Sequence, residues 1–232
     1  MDTLQPITLQ INNSEEFYAV NPPKIICLGM NYEAHVKEFN RGPNPTEPVL
    51  FPKFANTLIP NKAPILIPKF VQQTIPNYRI DYEVELALII SKKGKFIPES
   101  EALDYVLGYT ILNDISQREI QRKDVSGWFR GKSFDTFAPI GHKLVTHDII
   151  SDPNNLEISL KLNGEIKQKS NTKNMIFSVP KIISYISQNF TLQPGDIIST
   201  GTPEGVGKIQ PGDLISCEIE KIGILENPVL NE

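Results

Sequence analysis

The sequence predicts a β-rich α+β domain, and three observations carry that prediction. Nineteen prolines and fourteen glycines interrupt the 232 residues so often that long helices have little room. Short apolar stretches bounded by turn residues, such as "KIICLGM" (24–30) and "LGYTILND" (107–114), read as buried strands. In "LEISLKLNGEIKQ" the residues alternate around Asn163-Gly164, a pair suited to the type I′ turn of a hairpin.

Taken in order, residues 1–50 form an N-terminal lead-in that holds the strand 24–30, a short helix in "NYEAHVKEFN" and a patternless loop in "RGPNPTEP" (41–48). The opening "MDTLQPITLQ" has neither a basic start nor an apolar run, so no export signal is expected and the cytoplasm is the expected compartment. "RIDYEVELALII" (79–90) reads as one strand, "PESEALDYV" (98–106) as a short helix, and "ISQREIQRKD" (115–124) as a polar helix. "SVPKIISYISQNF" (178–190) is helical, with Ile182, Ile183 and Ile186 on one face. "PGDIIST" (194–200) and "PGDLISC" (211–217) repeat a turn followed by a strand, and are expected to neighbour each other in one sheet. No linker divides the chain, so residues 1–232 are expected to form a single domain.

Hydrophobic residues at 40% and charged residues at 22% suit a soluble globular protein, and a net charge of −4 argues against a nucleic-acid groove. No long uncharged apolar run predicts a membrane span. Cys27 and Cys217 fit no metal or redox spacing and read as buried free thiols.

The segment 79–90 carries acids where a buried strand should not. Glu83 and Glu85 are two apart and share a face with Asp81, Ala87 and Ile89. Side chains so spaced stand roughly 6.5–7 Å apart, which lets two carboxylates converge on a divalent cation. A solvent-facing pair on a half-exposed strand would explain them equally simply. Asp114, where a strand gives way to the segment 115–124, is a third acid; by itself it also suits a helix N-cap. Three oxygen ligands without His or Cys suit Mg²⁺, Mn²⁺ or Ca²⁺ and leave about half of an octahedral ion open. Neutralising Glu83 is then expected to abolish divalent binding and to relieve repulsion within the trio.

His35 and Glu38, three apart, share a helix face, and a carboxylate on one ring nitrogen leaves the other free to take a proton. An exposed pair of small energetic value would have the same spacing. Three of the five arginines, Arg118, Arg122 and Arg130, fall near Lys132 and suggest a cationic pocket, with Arg122 and Lys123 reading as a plain polar face. "GTPEGVG" (201–207) reads either as a turn whose backbone N–H groups hold an oxyanion or as a plain strand-to-strand loop. His142 and His147 read as surface residues.

"DYEVELALII", "LGYTILNDISQREIQ", "RGKSFDTFAPIG" and "ISTGTPEGVG" occur together in an order and at a spacing that resemble the fumarylacetoacetate hydrolase family, over nearly the whole chain from Lys24. The resemblance implies a mixed β-sandwich or roll with short helices. It implies Mg²⁺ or Mn²⁺ on Glu83, Glu85 and Asp114, and a water-activating dyad of His35 and Glu38. It also implies substrate-facing roles for Arg118, Gln121, Lys132 and Thr202, and a homodimer. The larger fumarylacetoacetases add a carboxylate where this chain has "CLGMNY", so the sequence sorts with the short members. The expected reaction is hydrolysis of a C–C bond in an acylpyruvate, giving pyruvate and a carboxylic acid. Decarboxylation or keto–enol isomerisation of a 2-oxo diacid such as oxaloacetate is the alternative, and a non-catalytic metal-containing module a second. Either reaction needs a small anionic 2-oxo acid as substrate. Residues 31–47, which carry the base and pass at once into Gly, Pro and Asn, are expected to act as a lid, poorly ordered without ligand.

Overall fold

A computed structural model describes residues 6–40, 42–125 and 127–232. Residues 1–5 of the lead-in, and Arg41 within the expected lid, lie outside the described residues. The largest sheet has eight strands, in the order Phe17–Ala19, Thr8–Ile11, Lys143–Thr146, Val106–Asn113, Val84–Ile90, Ile197–Ser199, Ile25–Gly29 and Val49–Lys53. A five-stranded sheet, in the order Glu165–Asn171, Glu157–Leu162, Leu214–Ile219, Gly223–Asn231 and Ile65–Ile67, faces it. The architecture is therefore the strand-rich α+β sandwich the sequence predicts.

Val84–Ile90 shows why the eight-stranded sheet sits at the centre. Leu86, Leu88 and Ile90 join the main core with Ile158, Leu160, Ile215 and Leu225 of the facing sheet. Ala87 and Ile89 point the other way, into a second core with Ile25, Cys27, Phe51 and Leu112. Burial on both faces explains the near-continuous apolar sequence. It also removes the half-exposed strand as an account of the acids. Both cysteines are buried and free, as expected.

The segment 79–90 is not one strand. Ile80–Tyr82 pairs in a small sheet with Ser116–Gln117 and Gly207–Lys208, while Val84–Ile90 enters the large sheet, and Glu83 is the break between them. Side chains supply what the ladder lacks there. Glu83 N–H donates to Asn113 Oδ1 (2.9 Å), and Val84 N–H donates to Gln168 Oε1 (3.1 Å). The two Pro-Gly-Asp units are also not neighbours, because Ile197–Ser199 lies in the eight-stranded sheet and Leu214–Ile219 in the five-stranded one. What they share is a local turn: Asp196 accepts from Gln193 N–H and Asp213 from Gln210 N–H, with Gly195 and Gly212 at φ +88° and +96°. A turn motif fixes how a strand begins, not which strand it joins.

The other elements fall where the pattern places them. Residues 98–106 contain a 3₁₀ helix, Glu99–Tyr105. Val179–Asn189 is an α-helix that buries Ile182, Ile183 and Ile186. Asn163 and Gly164 both take positive φ (53° and 84°), the type I′ signature. Among the described residues no helix is long and apolar enough to cross a membrane.

Candidate metal and substrate site

Glu83, Glu85 and Asp114 meet where the small and large sheets adjoin, with one oxygen of each within 4.8 Å of the others and all three side chains buried. Glu83 sits at the break, Glu85 is the second residue of the inner strand Val84–Ile90, and Asp114 lies just beyond the partner strand Val106–Asn113. Asp114 N–H donates to the Glu83 carbonyl (2.8 Å), which fixes the two segments together. Asp114 is not the cap of the following helix. That helix starts at Arg118, and the Gln117 side chain caps it by accepting from Ile120 N–H (2.6 Å).

The three acids live in different fields. Burial would raise the Glu83 carboxyl, but Arg118 (2.5 Å) and Lys132 (2.6 Å) overcome it and hold Glu83 well below the usual carboxylate range. Glu85 is pushed well above that range by burial and by the charges of Asp114 and Glu83, against the weaker pull of Lys132 and the Ser199 hydroxyl. Its Oε2 accepts from Ser199 Oγ (2.5 Å) and Gly201 N–H (2.9 Å). Asp114 accepts from Lys132 on Oδ2 (2.5 Å) and from Lys53 on Oδ1 (2.7 Å).

This set fits a hard divalent cation. All donors are carboxylate oxygens, and they are crowded enough that an ammonium, that of Lys132, lies between Glu83 and Asp114 as a stand-in positive charge. Burial disfavours the charged Lys132, yet Asp114 and Glu83 raise its pKa above the ordinary lysine value.

A narrow cleft opens on the cluster. His35, Glu83, Glu85, Arg118, Gln121, Lys132 and Thr202 all line it, so the structure gathers seven of the nine expected site residues at one surface. Asp114 lies beneath, and Glu38 reaches the site through His35, whose Nδ1 is 3.2 Å from Glu38 Oε2. The other Glu38 oxygen accepts from Gly205 N–H (3.1 Å), so Glu38, itself exposed, is anchored on both oxygens while His35 is buried. Leu28, Met30, Phe39, Phe51 and Trp128 supply the apolar walls.

Arg118 is placed differently from a free substrate clamp. Its Nε donates to Asp81 (2.7 Å), one terminal nitrogen to Glu83 and the other to Gln121 Oε1 (3.0 Å). Three of its five N–H donors hold Asp81, Glu83 and Gln121, and the residue still lines the cleft. Arg122 and Arg130 are exposed, and so is His142, but His147 is half-buried and hydrogen-bonded to the Tyr109 hydroxyl (3.3 Å).

Two buried residues of the site escaped the sequence reading. Lys53, in "FPKF", gives no signal beyond its alternation with Phe51. Gln168 lies on a strand whose burial departs from simple alternation, with Ile166 exposed and Gln168 buried beside a register shift opposite Leu160 and Lys161, which the sequence does not show. The segment 31–47 is tied at its start, where Asn31 donates to the Thr200 carbonyl (2.7 Å) and accepts from Phe177 N–H (2.8 Å).

A buried carboxylate trio suited to a divalent cation, a His–Glu pair and a lysine thus gather at one cleft of a curled, strand-rich sandwich, the layout of an enzyme site. Residues 24–230 match the fumarylacetoacetate (FAA) hydrolase C-terminal family, and the chain belongs to that family. Among its relatives, the mitochondrial oxaloacetate tautomerase fahd2 of Xenopus laevis is 44% identical over 99% of this chain and 72% of its own length. The crystal structure of fumarylpyruvate hydrolase from Pseudomonas aeruginosa, in complex with Mn²⁺ and pyruvate, superposes with a TM-score of 0.86 at 34% identity. That likeness covers 98% of this chain and 97% of the other. The 2-hydroxyhepta-2,4-diene-1,7-dioate isomerase of Mycobacterium marinum gives 0.80 at 38% identity, over 93% and 79% of the two chains.

Proposed function

We propose that the protein is a Mg²⁺- or Mn²⁺-dependent enzyme that interconverts the keto and enol forms of a small 2-oxo diacid, oxaloacetate being the reference substrate. The observation that carries this reading is the anchored His35–Glu38 pair at the mouth of a buried carboxylate trio. Identity to oxaloacetate tautomerases over nearly the whole chain supports it. Glu83, Glu85 and Asp114 would hold the ion. When bound, it supplies Lewis-acid polarisation of the 2-oxo group and its adjoining carboxylate.

The protein's own part is proton movement and charge. Glu38 fixes the tautomer with the proton on His35 Nδ1, which leaves Nε2 to carry a proton between C3 and the 2-oxo oxygen. Lys132 and Thr202 meet the substrate's anionic oxygens. The apolar side chains Leu28, Met30, Phe39, Phe51 and Trp128 beside these polar groups lower the local polarity and strengthen their electrostatic interactions.

Acylpyruvate hydrolysis is the second reading, supported by the nearly full-length likeness to fumarylpyruvate hydrolase. It uses the same base on water: the deprotonated water adds to the distal carbonyl, the C–C bond then breaks with its electron pair leaving as the pyruvate enolate, and the proton held by the base returns to that carbon. A homodimer is proposed as the assembled form. The exposed Phe54 (55%) and Phe190 (46%) flank the sheet's edge strand Val49–Lys53 and support it; sedimentation tests it.

The deciding experiment follows the ultraviolet enol absorbance of oxaloacetate, coupled in parallel to a dehydrogenase that takes only the keto form. Mn²⁺, Mg²⁺ and EDTA arms and a panel of acylpyruvates complete it. Metal-dependent enol decay without release of pyruvate is expected. Pyruvate release from acylpyruvates alone selects the second reading, pyruvate and CO₂ from oxaloacetate selects decarboxylation, and no metal-dependent change on any of them leaves a binding module.

A further inference from the structure

Gln168 is fully buried on the strand Glu165–Asn171 and contributes nothing to the cleft wall. Its amide orientation is dictated by its partners. Oε1 accepts from Val84 N–H (3.1 Å), while Nε2 donates to the Pro203 carbonyl (2.8 Å) and to Thr202 Oγ1 (2.9 Å). A flipped amide would set two donors together at Val84 and two acceptors together at Pro203, each a buried polar group left unpaired. The nitrogen therefore faces Thr202, and the Thr202 oxygen accepts. Its own hydrogen must then point elsewhere, and Thr202 lines the cleft. Without this donor, the hydroxyl rotor would be free to accept from a water or turn into the protein.

We propose that Gln168 is a positioning residue that commits the Thr202 hydroxyl to donating into the cleft, toward an anionic oxygen of the substrate. The inference rests on the reading of that substrate as a 2-oxo acid anion. It gives Gln168 a second consequence: through Val84 it ties the Thr202 loop to the backbone between Glu83 and Glu85, so loop and ligands keep a fixed separation.

Gln168→Glu tests the proposal. The carboxylate still accepts from Val84, but it cannot donate, so the Thr202 hydroxyl turns to donate to it and leaves the cleft. Calorimetry with oxalate on the Mn²⁺-loaded protein should show affinity down by about 10–100-fold, as for a lost hydrogen bond to a charged group. Mn²⁺ affinity without oxalate should stay within about twofold. Thr202→Val should cost the same, the double variant no more than either, and Thr202→Ser almost nothing. Gln168→Asn, one methylene too short to span both sides, should repeat the pattern and serves if the glutamate variant does not fold. Losses that multiply in the double variant, unchanged oxalate affinity, or a parallel loss of Mn²⁺ would overturn the proposal. Oxalate binding does not depend on turnover. An intact cycle beside a failed tautomerase assay sinks only the proposed reaction, and the converse sinks only the role of Gln168.

Discussion

Glu85→Gln should raise the stability of the metal-free protein while destroying its metal site. Glu85 has no ion pair among the described residues and lies within 4.8 Å of two other carboxylate oxygens. At an effective dielectric of ~20, one unit-charge repulsion at that separation is about 3.5 kcal/mol. Lys132, Lys53 and Arg118 cancel most of it, and protonation of Glu85 relieves more, because burial and its acidic neighbours raise its pKa. A net gain of about 1 kcal/mol remains, which in a chain of this size lifts Tm by about 2–4 °C. The amide oxygen of Gln can keep both bonds that Glu85 Oε2 now accepts from Ser199 and Gly201, so no packing is lost. The sign with pH follows. A carboxyl raised in the folded state contributes stability below the ordinary carboxylate pKa, and that contribution is lost as pH rises through the raised value. Wild-type apo stability should therefore fall over that window, and the Gln variant should show less of the fall. Thermal melts across pH, with and without Mn²⁺, read both effects. A variant that melts below wild type without metal, or that keeps Mn²⁺ stabilisation, would refute the reasoning.

Glu83→Gln should do the opposite without metal. It strips a carboxylate from Arg118 and Lys132, and relief of repulsion does not compensate because Glu83 is the ion-paired member. A loss of roughly 3 kcal/mol is expected, at the low end for a broken buried pair because Asp81 and Asp114 remain; denaturant melts measure it. Its pH sign is also reversed: the contribution of a lowered carboxyl is present above the ordinary carboxylate pKa and lost as pH falls through the lowered value. Lys132→Met removes the stand-in ammonium, so Mn²⁺ affinity should rise by calorimetry while turnover falls. His35→Ala should leave Mn²⁺ affinity near normal and cut turnover by ~10²–10⁴-fold, the usual share of a general base. Hydrogen exchange over 31–47 should slow when oxalate binds with metal; equal protection with and without it would exclude a lid.

Much of this site was legible because its chemistry is unusual for its surroundings. Carboxylates in an apolar strand and a histidine one helical turn from a glutamate stand out against any core. The strand break at Glu83 did not stand out, since the residues that permit it, Asn113 and Gln168, act from other strands. The ties of Arg118 were equally hidden: a sequence shows a cation but not that Asp81, Glu83 and Gln121 take three of its five N–H donors. The echoed Pro-Gly-Asp turns misled for the same reason, because local hydrogen bonds are written in neighbouring residues and sheet membership is not.

Gly205, whose N–H holds Glu38, sits at φ +94° with the Lys167 carbonyl where a Cβ would be, 2.1 Å away. Gln168, next along the same strand, grips the Thr202 loop. One edge of a hairpin thus acts as a jig for both the proposed proton carrier and the proposed anion contact. A side chain at 205 would be felt there as a slackened histidine, with the ion still seated, so this enzyme can be disarmed from a face its substrate never meets.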